Sequence, residues 1–280
     1  MKPIFMAALA VLVFITTAAA QGLDELARGL DSPQAAVRLE AVRNLALEYP
    51  GQSTTYMLKA VKDPDDLVRE RAVQAIGILG GAQAEPTLVQ SLRDPAWFVR
   101  WRAVQSLSKL GSRSVVGELA PLAADPSWQV RASSYEMLGD IARARLRPRS
   151  GEAAPNPSDS RIRDLLVKGL EDRDESVRLA AATQLAKIAD GAVYQPLIGL
   201  LQGGSLFARD GAALALGLLG DKRAIGPLIE AVADPRNVLC EEGRDWARWG
   251  AVKALVALTG KNFNINLAEW RRWYSENGGR

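Results

Sequence analysis

The residue types that most often carry chemistry are scarce in this chain. None of its 280 residues is a histidine, so the commonest general base and metal ligand is absent. The single cysteine, Cys240, has no internal partner and is interpreted as an incidental or a reactive thiol. Carboxylates at Glu70, Glu136 and Asp210 serve acid–base chemistry only when they converge with a second group, and the sequence contains no nucleophile–base pair or phosphate-binding loop. It therefore predicts no catalytic residue, no metal site and no cofactor, and a protein that is not an enzyme.

Tryptophan and arginine form the other chemically distinctive group. Trp97 and Trp128 occupy the same position, two residues before a Val-Arg dipeptide, and Trp101 and Arg102 follow Trp97 by about one turn. Trp and Arg are common anchors of interfaces, and Trp is also a common core residue. These four residues are candidate partner-binding residues, with burial between helices as the alternative. Stacking on a polysaccharide is a third interpretation, which requires the three tryptophans to form one exposed, coplanar strip.

The charge distribution does not favour a nucleic-acid partner. The formal net charge is +3, and acidic and basic residues are interspersed, whereas a nucleic-acid-binding protein usually has a concentrated basic face. One basic run is interpreted as a solvated helix end, where cations are favourable. This run consists of Arg143, Arg145, Arg147 and Arg149. We expect a protein or peptide partner, and no nucleic acid.

The first twenty residues have the pattern of a signal peptide. Lys2 precedes an uncharged apolar run from Ile4 to Ile15, and Ala18-Ala19-Ala20 provides a small-residue cleavage pattern. The apolar run is short for a membrane span. We therefore expect cleavage after Ala20, export to the periplasm or the cell exterior, and no stable membrane anchor in the mature protein.

The rest of the chain repeats a pattern built around a Val-Arg or Ala-Arg dipeptide. Most successive copies are 31 residues apart; the residue four positions after the first of the pair is small, and the residue eight positions after it is Leu or Ile. These offsets fall on one face of an α-helix. The seven pairs begin at Val37, Val68, Val99, Val130, Val177, Ala208 and Ala247.

Each copy is expected to form a helical hairpin. In four copies an aspartate stands five residues before the pair, which we interpret as the N-cap of the second helix. In four copies a glycine stands where that helix should end in a left-handed turn. Because such hairpins bury their apolar faces only by stacking, the sequence predicts an all-α fold. It is a right-handed α-α superhelix, or solenoid, of about seven hairpins with a C-terminal capping helix. The aspartates are Asp63, Asp94, Asp125 and Asp172, and the glycines are Gly80, Gly111, Gly220 and Gly260.

The arginine of each pair lies inside the apolar arc of its helix. A buried guanidinium is unfavourable unless it is paired. We infer that each arginine bonds the turn aspartate or the carbonyls of a neighbouring repeat, with an anion-binding stripe as the alternative. This Arg ladder consists of Arg38, Arg69, Arg100, Arg131, Arg178, Arg209 and Arg248.

The pattern Asp-Pro-x-x-x-Val-Arg-x-x-Ala, ending in Leu-Gly as in residues 63–80, resembles the short HEAT repeats typified by phycobilin lyases. The resemblance covers residues 23–260 and implies a role as an adaptor or scaffold, although some members are bilin lyases. Another HEAT relative, deoxyhypusine hydroxylase, is a di-iron enzyme that uses His-Glu pairs, which a chain without histidine cannot supply. The C-terminal Leu-Thr-Gly, Phe and two spaced Trp are similar to the tails of exported bacterial HEAT proteins.

Two interruptions and a change of pattern suggest domain bounds. The spacing stretches between the fourth and fifth copies, across a segment rich in Pro, Ser and Gly, and the repeat stops after Gly260. In the last segment, Trp270 and Trp273 are expected to cover the final hairpin. The predicted segments are the signal peptide at 1–20, repeats one to four at 21–146, a flexible insert at 147–160, repeats five to seven at 161–260 and the cap at 261–280.

A second candidate surface lies in repeats five to seven. Leu214 and Leu218 point outward from a helix that is apolar all round, and Leu179 and Trp249 take outward positions in the flanking repeats. Such a helix is normally covered, here by residues 235–244 or by a partner. The predicted function is a non-catalytic protein-binding scaffold or adaptor in the bacterial envelope, holding a protein or peptide on the inner face of the solenoid. The alternatives are a lyase-like or other enzyme accessory subunit, and a polysaccharide-binding module.

Overall fold

A computed structural model of the chain describes residues 22–146, 159–188, 193–237 and 246–277. Throughout these residues the regular secondary structure is helical, so the predicted all-α fold of stacked hairpins is confirmed. The predicted signal peptide, Cys240 and most of the insert at 147–160 lie outside the described residues. The chain forms two compact units, of which the first ends at Ser112 and the second begins at Arg113.

The first unit contains three helical hairpins among its described residues. In each hairpin a shorter first helix packs against a second helix of 14 residues. The second helices pack side by side, so that Val68, Ala72 and Ile76 of the central one are almost fully buried. The helices are α1 (22–29), α2 (Ala35–Glu48), α3 (Thr54–Ala60), α4 (Asp66–Leu79), α5 (Ala84–Ser91) and α6 (Trp97–Leu110).

The second unit contains four hairpins and a terminal helix among its described residues. Short 3-10 turns extend the first helices of two of these hairpins. The second helices again pack against one another in sequence order. The helices are α7 (Val116–Leu119), α8 (Trp128–Leu146), α9 (Asp159–Gly169), α10 (Glu175–Ile188), α11 (Tyr194–Gly203), α12 (Leu206–Leu219), α13 (Ile225–Ala233), α14 (Trp246–Thr259) and α15 (Leu267–Asn277).

The domain bounds inferred from the sequence stay predictions. The described contacts join helices on either side of the predicted insert, because α8 packs against both α9 and α10. Repeats four and five therefore belong to one compact unit, whereas the sequence suggested a division between them.

Glycine ends several of the second helices, as predicted. Gly111 and Gly220 are in the left-handed α conformation, whereas Gly80 has a ψ of −147° and is not. Gly80, Gly111, Gly220 and Gly260 have φ angles of 68°, 69°, 75° and 70°. A side chain at such a φ clashes with the following carbonyl, so only glycine adopts it without strain. A different glycine allows close packing in the second unit, since a Cβ at Gly217 would stand 2.8 Å from the Cα of Ala254.

The predicted N-caps were wrong by two residues. Helix α4 begins at Asp66, and its N-cap is Asp65, whose side chain accepts hydrogen bonds from the amides of Leu67 and Val68. The carboxylate of Asp63 instead accepts from the amide of Asp65 at 2.9 Å, which forms a turn before the helix. The other three aspartates make the same bond to the amide two residues on. The prediction failed because this carboxylate has a second donor, described below.

The terminal helix α15 packs against α13, the first helix of the last hairpin. Trp270 is fully buried, and its indole N–H donates to the carbonyl of Asn264 at 2.8 Å. Phe263 meets the Trp270 ring edge to face, with ring centroids 4.8 Å apart. The Asn266 side chain caps the helix by accepting from the amide of Glu269. Trp273 is half-buried, so most of the apolar contact comes from Trp270.

Candidate partner-binding faces

The arginines of the first unit fix the turns between hairpins. The Nε and Nη2 of Arg38 each donate to one oxygen of Asp63 at 2.8 Å, while Nη1 donates to the carbonyls of Ser32 and Pro33. Arg69 repeats the arrangement with Asp94 and with the carbonyls of its own turn. Arg100 donates to the carbonyls of Asp94 and Pro95 at 2.8 and 2.9 Å.

Arg38 and Arg69 therefore each join their own turn to the turn of the next hairpin. The carboxylate belongs to the next repeat, while the carbonyls belong to the arginine's own repeat and not to a neighbour. A bidentate guanidinium–carboxylate pair fixes geometry as well as charge. Burial alone would raise the pKa of Asp63. The hydrogen bonds from Arg38 and from the Asp65 amide, together with the charges of Arg38 and Arg69, outweigh burial and lower the pKa.

We call each arginine–carboxylate pair of the Arg ladder a rung. The second unit contains one regular rung, with a turn aspartate as in the first unit, and one altered rung. Arg131 donates to both oxygens of Asp172 at 2.7 and 2.8 Å. Arg178 instead bonds Asp210, with Nε and Nη2 both donating to Oδ2 at 3.1 and 2.8 Å. The regular aspartate position is Gly203 in this repeat, so the carboxylate comes from inside helix α12.

Asp210 is therefore a structural residue rather than a solvated carboxylate of the outward stripe. Its side chain is 9% exposed and its partner Arg178 is fully buried. Burial raises the pKa of Asp210, and the hydrogen bond from Arg178 only partly opposes this. Asp210 stands two residues after Ala208, at an outward position of the helical wheel. Its side chain is nevertheless buried, because the missing turn aspartate leaves a buried arginine that Asp210 neutralises.

The rung at Arg209 is looser. Its Nη1 lies 3.6 Å from Oδ2 of Asp234, which is too far for a hydrogen bond. The Asp234 carboxylate is bonded by the exposed Arg236 instead, and that bond lowers the pKa of Asp234 to about 2. Arg248 is half-buried, and its place in the Arg ladder stays a prediction.

The tryptophans proposed as anchors are only partly covered. In the first unit Trp97 is 41% exposed, whereas Trp101 and Arg102 are half-buried. Arg102 lies over the Trp101 ring, 4.9 Å from its centroid, and is ion-paired with Glu70 of the neighbouring helix α4. In the second unit Trp128 is 43% exposed at the first residue of α8.

The apolar residues proposed in repeats five to seven are largely exposed. Leu179 is 47%, Leu218 51% and Trp249 45% exposed, and Leu214 is half-buried. The structure adds Phe207, the second residue of α12, whose exposed ring lies over the guanidinium of Arg178 at 5.0 Å. The sequence signal for Phe207 was its position directly before the Ala-Arg pair, which points outward on a helical wheel.

Exposed apolar side chains are distributed unevenly between the two helices of the hairpins. Among the described residues of the hairpins, every large apolar side chain with high exposure lies on a second helix. We call the outward surfaces of these helices the first-unit face and the second-unit face. The first-unit face carries Leu47, Leu67, Ile78 and Trp97, and the second-unit face carries Trp128, Leu179, Phe207, Leu218 and Trp249. Val37 is also exposed, but it takes a position that is buried in later repeats.

The carboxylates considered for catalysis have other surroundings. Glu70 is paired with Arg102, and Asp210 with Arg178. Glu136 on α8 has its pKa raised by burial and by Asp140, against the opposing charge of Lys187. Across the described part of the chain, no three His, Cys, Asp or Glu side chains are grouped so as to hold a metal ion.

In residues 22–146, 159–188, 193–237 and 246–277, no helix combines the length and the apolar character needed to span a bilayer.

The sequence pattern of HEAT repeats matches the chain in four overlapping windows, at residues 23–108, 55–139, 85–164 and 162–247. The chain belongs to the HEAT-repeat family. The hairpins described above are therefore HEAT repeats, and the resemblance drawn from residues 63–80 is confirmed. No curated protein sequence matches this HEAT-repeat chain.

Several solved structures resemble the HEAT-repeat chain. The complex of CpcE and CpcF of phycocyanin lyase from Nostoc sp. PCC7120 is 20% identical over 90% of this chain and 94% of that one, with a TM-score of 0.46. Human deoxyhypusine hydroxylase in complex with glycerol is 18% identical over 88% of this chain and 99% of that one, with a TM-score of 0.41. An engineered protein is 20% identical over 93% of this chain and 72% of that one, with a TM-score of 0.47.

Proposed function

We propose that this HEAT-repeat protein is a non-catalytic scaffold of the bacterial envelope that binds a partner protein on the faces of its second helices. The observation that carries the proposal is the uneven exposure of apolar side chains. Within the described hairpins, the first helices expose no large apolar side chain to a high degree, whereas the second helices expose ten.

Exposed apolar side chains on one surface favour association. Scattered exposed apolar residues are normal, but a concentration on one face marks an interaction surface. Trp side chains at such a face are frequent anchors of protein–protein binding. Two carboxylates considered for acid–base chemistry, Glu70 and Asp210, are engaged by arginines, which supports a binding role over a catalytic one.

Site-specific photocrosslinking tests where the partner binds. A photoreactive phenylalanine analogue is placed singly at Leu67, Leu179 or Trp249 in the full chain, expressed in the bacterium that produces it. The matched control is Ile265, which is 47% exposed but lies outside the hairpins. We expect the three face positions to capture the same protein and Ile265 not to capture it.

Two outcomes would contradict the scaffold proposal. Equal capture at Ile265 would mean that the second helices have no special role. No capture at any face position, with the variants folded by circular dichroism, would mean that neither face binds a protein.

The location of the protein is a separate part of the proposal. The support is the charge, apolar run and small residues of positions 2–20. Mass spectrometry of the purified cellular protein should find Gln21 as the N-terminal residue, and deletion of residues 2–20 should retain the protein in the cytoplasm. Recovery of an N-terminus at Met1 from the envelope would overturn cleavage.

The half-buried Trp101 does not extend an exposed strip of three tryptophans. Polysaccharide binding remains a second candidate at separate indoles, because Trp97 and Trp128 are each exposed. Sugar rings stack on exposed indoles and change their fluorescence. Titration with soluble peptidoglycan fragments should shift tryptophan emission, and Trp97→Ala with Trp128→Ala should remove the shift. An unchanged emission spectrum at saturating fragment concentration would eliminate this candidate.

A further inference from the structure

One row of the second-unit face is free of exposed charge. Phe207, Leu214 and Leu218 follow one another at intervals of seven and four residues and therefore lie on one side of α12. Asp210, which would interrupt the row, is buried and bonded to Arg178. At a rise of 1.5 Å per residue, the row is about 16 Å long, which is about three turns of a helix.

Two lysines lie on either side of this row. Lys187 is on α10 and Lys253 is on α14, and both of these helices pack directly against α12. Both lysines are exposed. The ion pairs within 4.0 Å among the described residues do not include either of them. The charge of Lys187 opposes the rise in the pKa of Glu136 on α8. The charge of Lys253 opposes the rise in the pKa of the buried Asp210.

The helices beside α12 contribute apolar surface as well as charge. Leu179 on α10 and Trp249 on α14 are both about half exposed. Packed helix axes are about 8–10 Å apart, so the lysines stand on two sides of a surface that accommodates a helix about 10 Å in diameter. The centre of this surface is apolar, and one exposed lysine stands on each side. The exposed Glu175 lies at the first residue of α10, at the opposite end of that helix from Lys187.

We propose that the second-unit face binds a short amphipathic helix of the partner, with an apolar stripe on the α12 row and acidic residues facing Lys187 and Lys253. The proposal rests on the proposed scaffold function and names the chemistry of its partner. A three-turn helix with apolar residues at intervals of three, four and seven matches the α12 row. Its carboxylates neutralise the two lysines, which have no ion-pair partner of their own among the described residues.

A second copy of the chain fits this face less well. In a two-fold dimer each surface meets its own copy, so the two lysines would approach two more lysines. Like charges at an interface oppose association. A lipid surface would use the lysines without needing an apolar row limited to about three turns.

Binding of two synthetic helical peptides tests the proposal. Both peptides have 15 residues and the same leucine stripe, and the flanks of the stripe carry Glu in one and Lys in the other. Fluorescence anisotropy measures their affinity for the purified full chain. We expect the Glu peptide to bind at least about tenfold more tightly, and the difference to shrink as salt screens the charges.

Charge reversal identifies the lysines responsible. Lys187→Glu with Lys253→Glu should reverse the preference between the two peptides. The matched control, Lys168→Glu with Lys222→Glu, changes two exposed lysines on the other side of the hairpins and should leave the preference intact. Leu218→Ser should weaken both peptides several-fold without changing the preference. Thermal midpoints of all variants confirm folding.

Several results would overturn the proposal. These are equal affinity for the two peptides, a preference that survives Lys187→Glu with Lys253→Glu, and a Leu218-dependent dimer in light scattering. Lysine-dependent binding to phosphatidylglycerol vesicles in place of the peptides would also overturn it. Successful crosslinking at Leu179 and Trp249, together with no peptide preference, would reject the acidic helix and keep the scaffold function.

Discussion

Two turns, one in each unit, hold their arginines with carboxylates from different places. In the first unit, Arg69 bonds Asp94, which stands in the turn before the next second helix. In the second unit, Arg178 bonds Asp210, which stands inside the next second helix. The carbonyl half of the arrangement is the same in both, since Nη1 of each arginine donates to two carbonyls of its own turn.

The comparison shows that the buried arginine dictates the need for a carboxylate but not its source. Gly203 takes the turn position where four of the other repeats have aspartate. Asp210 supplies the charge from the position that holds the exposed Leu179 and Trp249 in the flanking repeats. This relocation has a consequence for the second-unit face. Because Asp210 points inward, the outward row of α12 contains only apolar residues.

The largest expected effect is the drop in the free energy of unfolding when the altered rung, Arg178 with Asp210, is broken. Arg178→Met keeps an unbranched apolar stem but removes the guanidinium, and leaves Asp210 buried without its partner. We expect a loss of about 3–5 kcal/mol in the free energy of unfolding, the usual cost of breaking a buried ion pair. Urea unfolding followed by far-UV circular dichroism measures it.

Arg223→Met serves as the control for Arg178→Met. Arg223 pairs with Asp221, but its side chain is 68% exposed, so its loss should change the free energy of unfolding by less than about 1 kcal/mol. Equal losses for the two variants would mean that the buried pair contributes no more than a surface pair.

Breaking a regular rung should lower the free energy of unfolding by less. Arg69→Met removes two hydrogen bonds from Asp94, which keeps its bond from the amide of Ala96. The Arg69 side chain is also less buried than that of Arg178. We expect a loss of about 2 kcal/mol, typical of hydrogen bonds to a charged group. Arg69→Lys should recover little of this loss, because an ammonium lacks the planar fork that bonds both oxygens. Full recovery would show that charge alone matters.

The repeat architecture could be predicted because its signal is periodic. Offsets of four and eight residues around Val68 fix a helical face, and Gly80 marks the end of the helix with a positive φ. The role of Asp63 could not be predicted in full. Asp63 accepts from the nearby Asp65 amide and from Arg38, which is 25 residues away in the sequence. A local pattern shows only the nearby donor, so Asp63 resembles a helix cap.

The candidate site was predicted less completely than the fold. Outward positions such as Leu179 and Leu218 follow from the helical wheel, because exposure depends on local geometry. Asp210 had an outward position on the same wheel, yet it is buried. Its orientation depends on the missing aspartate at position 203 and on Arg178 in the previous repeat, and a wheel drawn for one helix contains neither.

Moving the carboxylate back to the turn tests whether an aspartate at position 203 can replace Asp210 as the partner of Arg178. Gly203 stands three residues before α12, the same spacing as Asp63 before α4, and no atom lies within 4 Å of a Cβ added there. We expect Gly203→Asp to restore about 1 kcal/mol of the stability lost in Asp210→Asn, the worth of a typical hydrogen bond. Gly199→Asp, also at a site with open space, is the control. Equal stability of the two double variants would show that an aspartate at position 203 cannot supply the carboxylate that Arg178 needs.

The smallest expected effect is on the pH dependence of stability, and the two carboxylates should act in opposite directions. The pKa of Asp63 is lowered in the folded protein, so its contribution is present above its unfolded pKa of about 3.9 and is lost as the pH falls through the folded value. The pKa of Asp210 is raised, so its protonation favours the folded state, and that contribution is lost as the pH rises through the folded value.

Thermal midpoints measured between pH 3 and pH 7 should therefore fall less on acidification in Asp63→Asn than in the unmodified protein. In Asp210→Asn they should fall more, because the opposing contribution is gone. The same slope in both variants would mean that Arg178 holds Asp210 as strongly ionised as Arg38 holds Asp63, which would make the altered rung equivalent to the regular one.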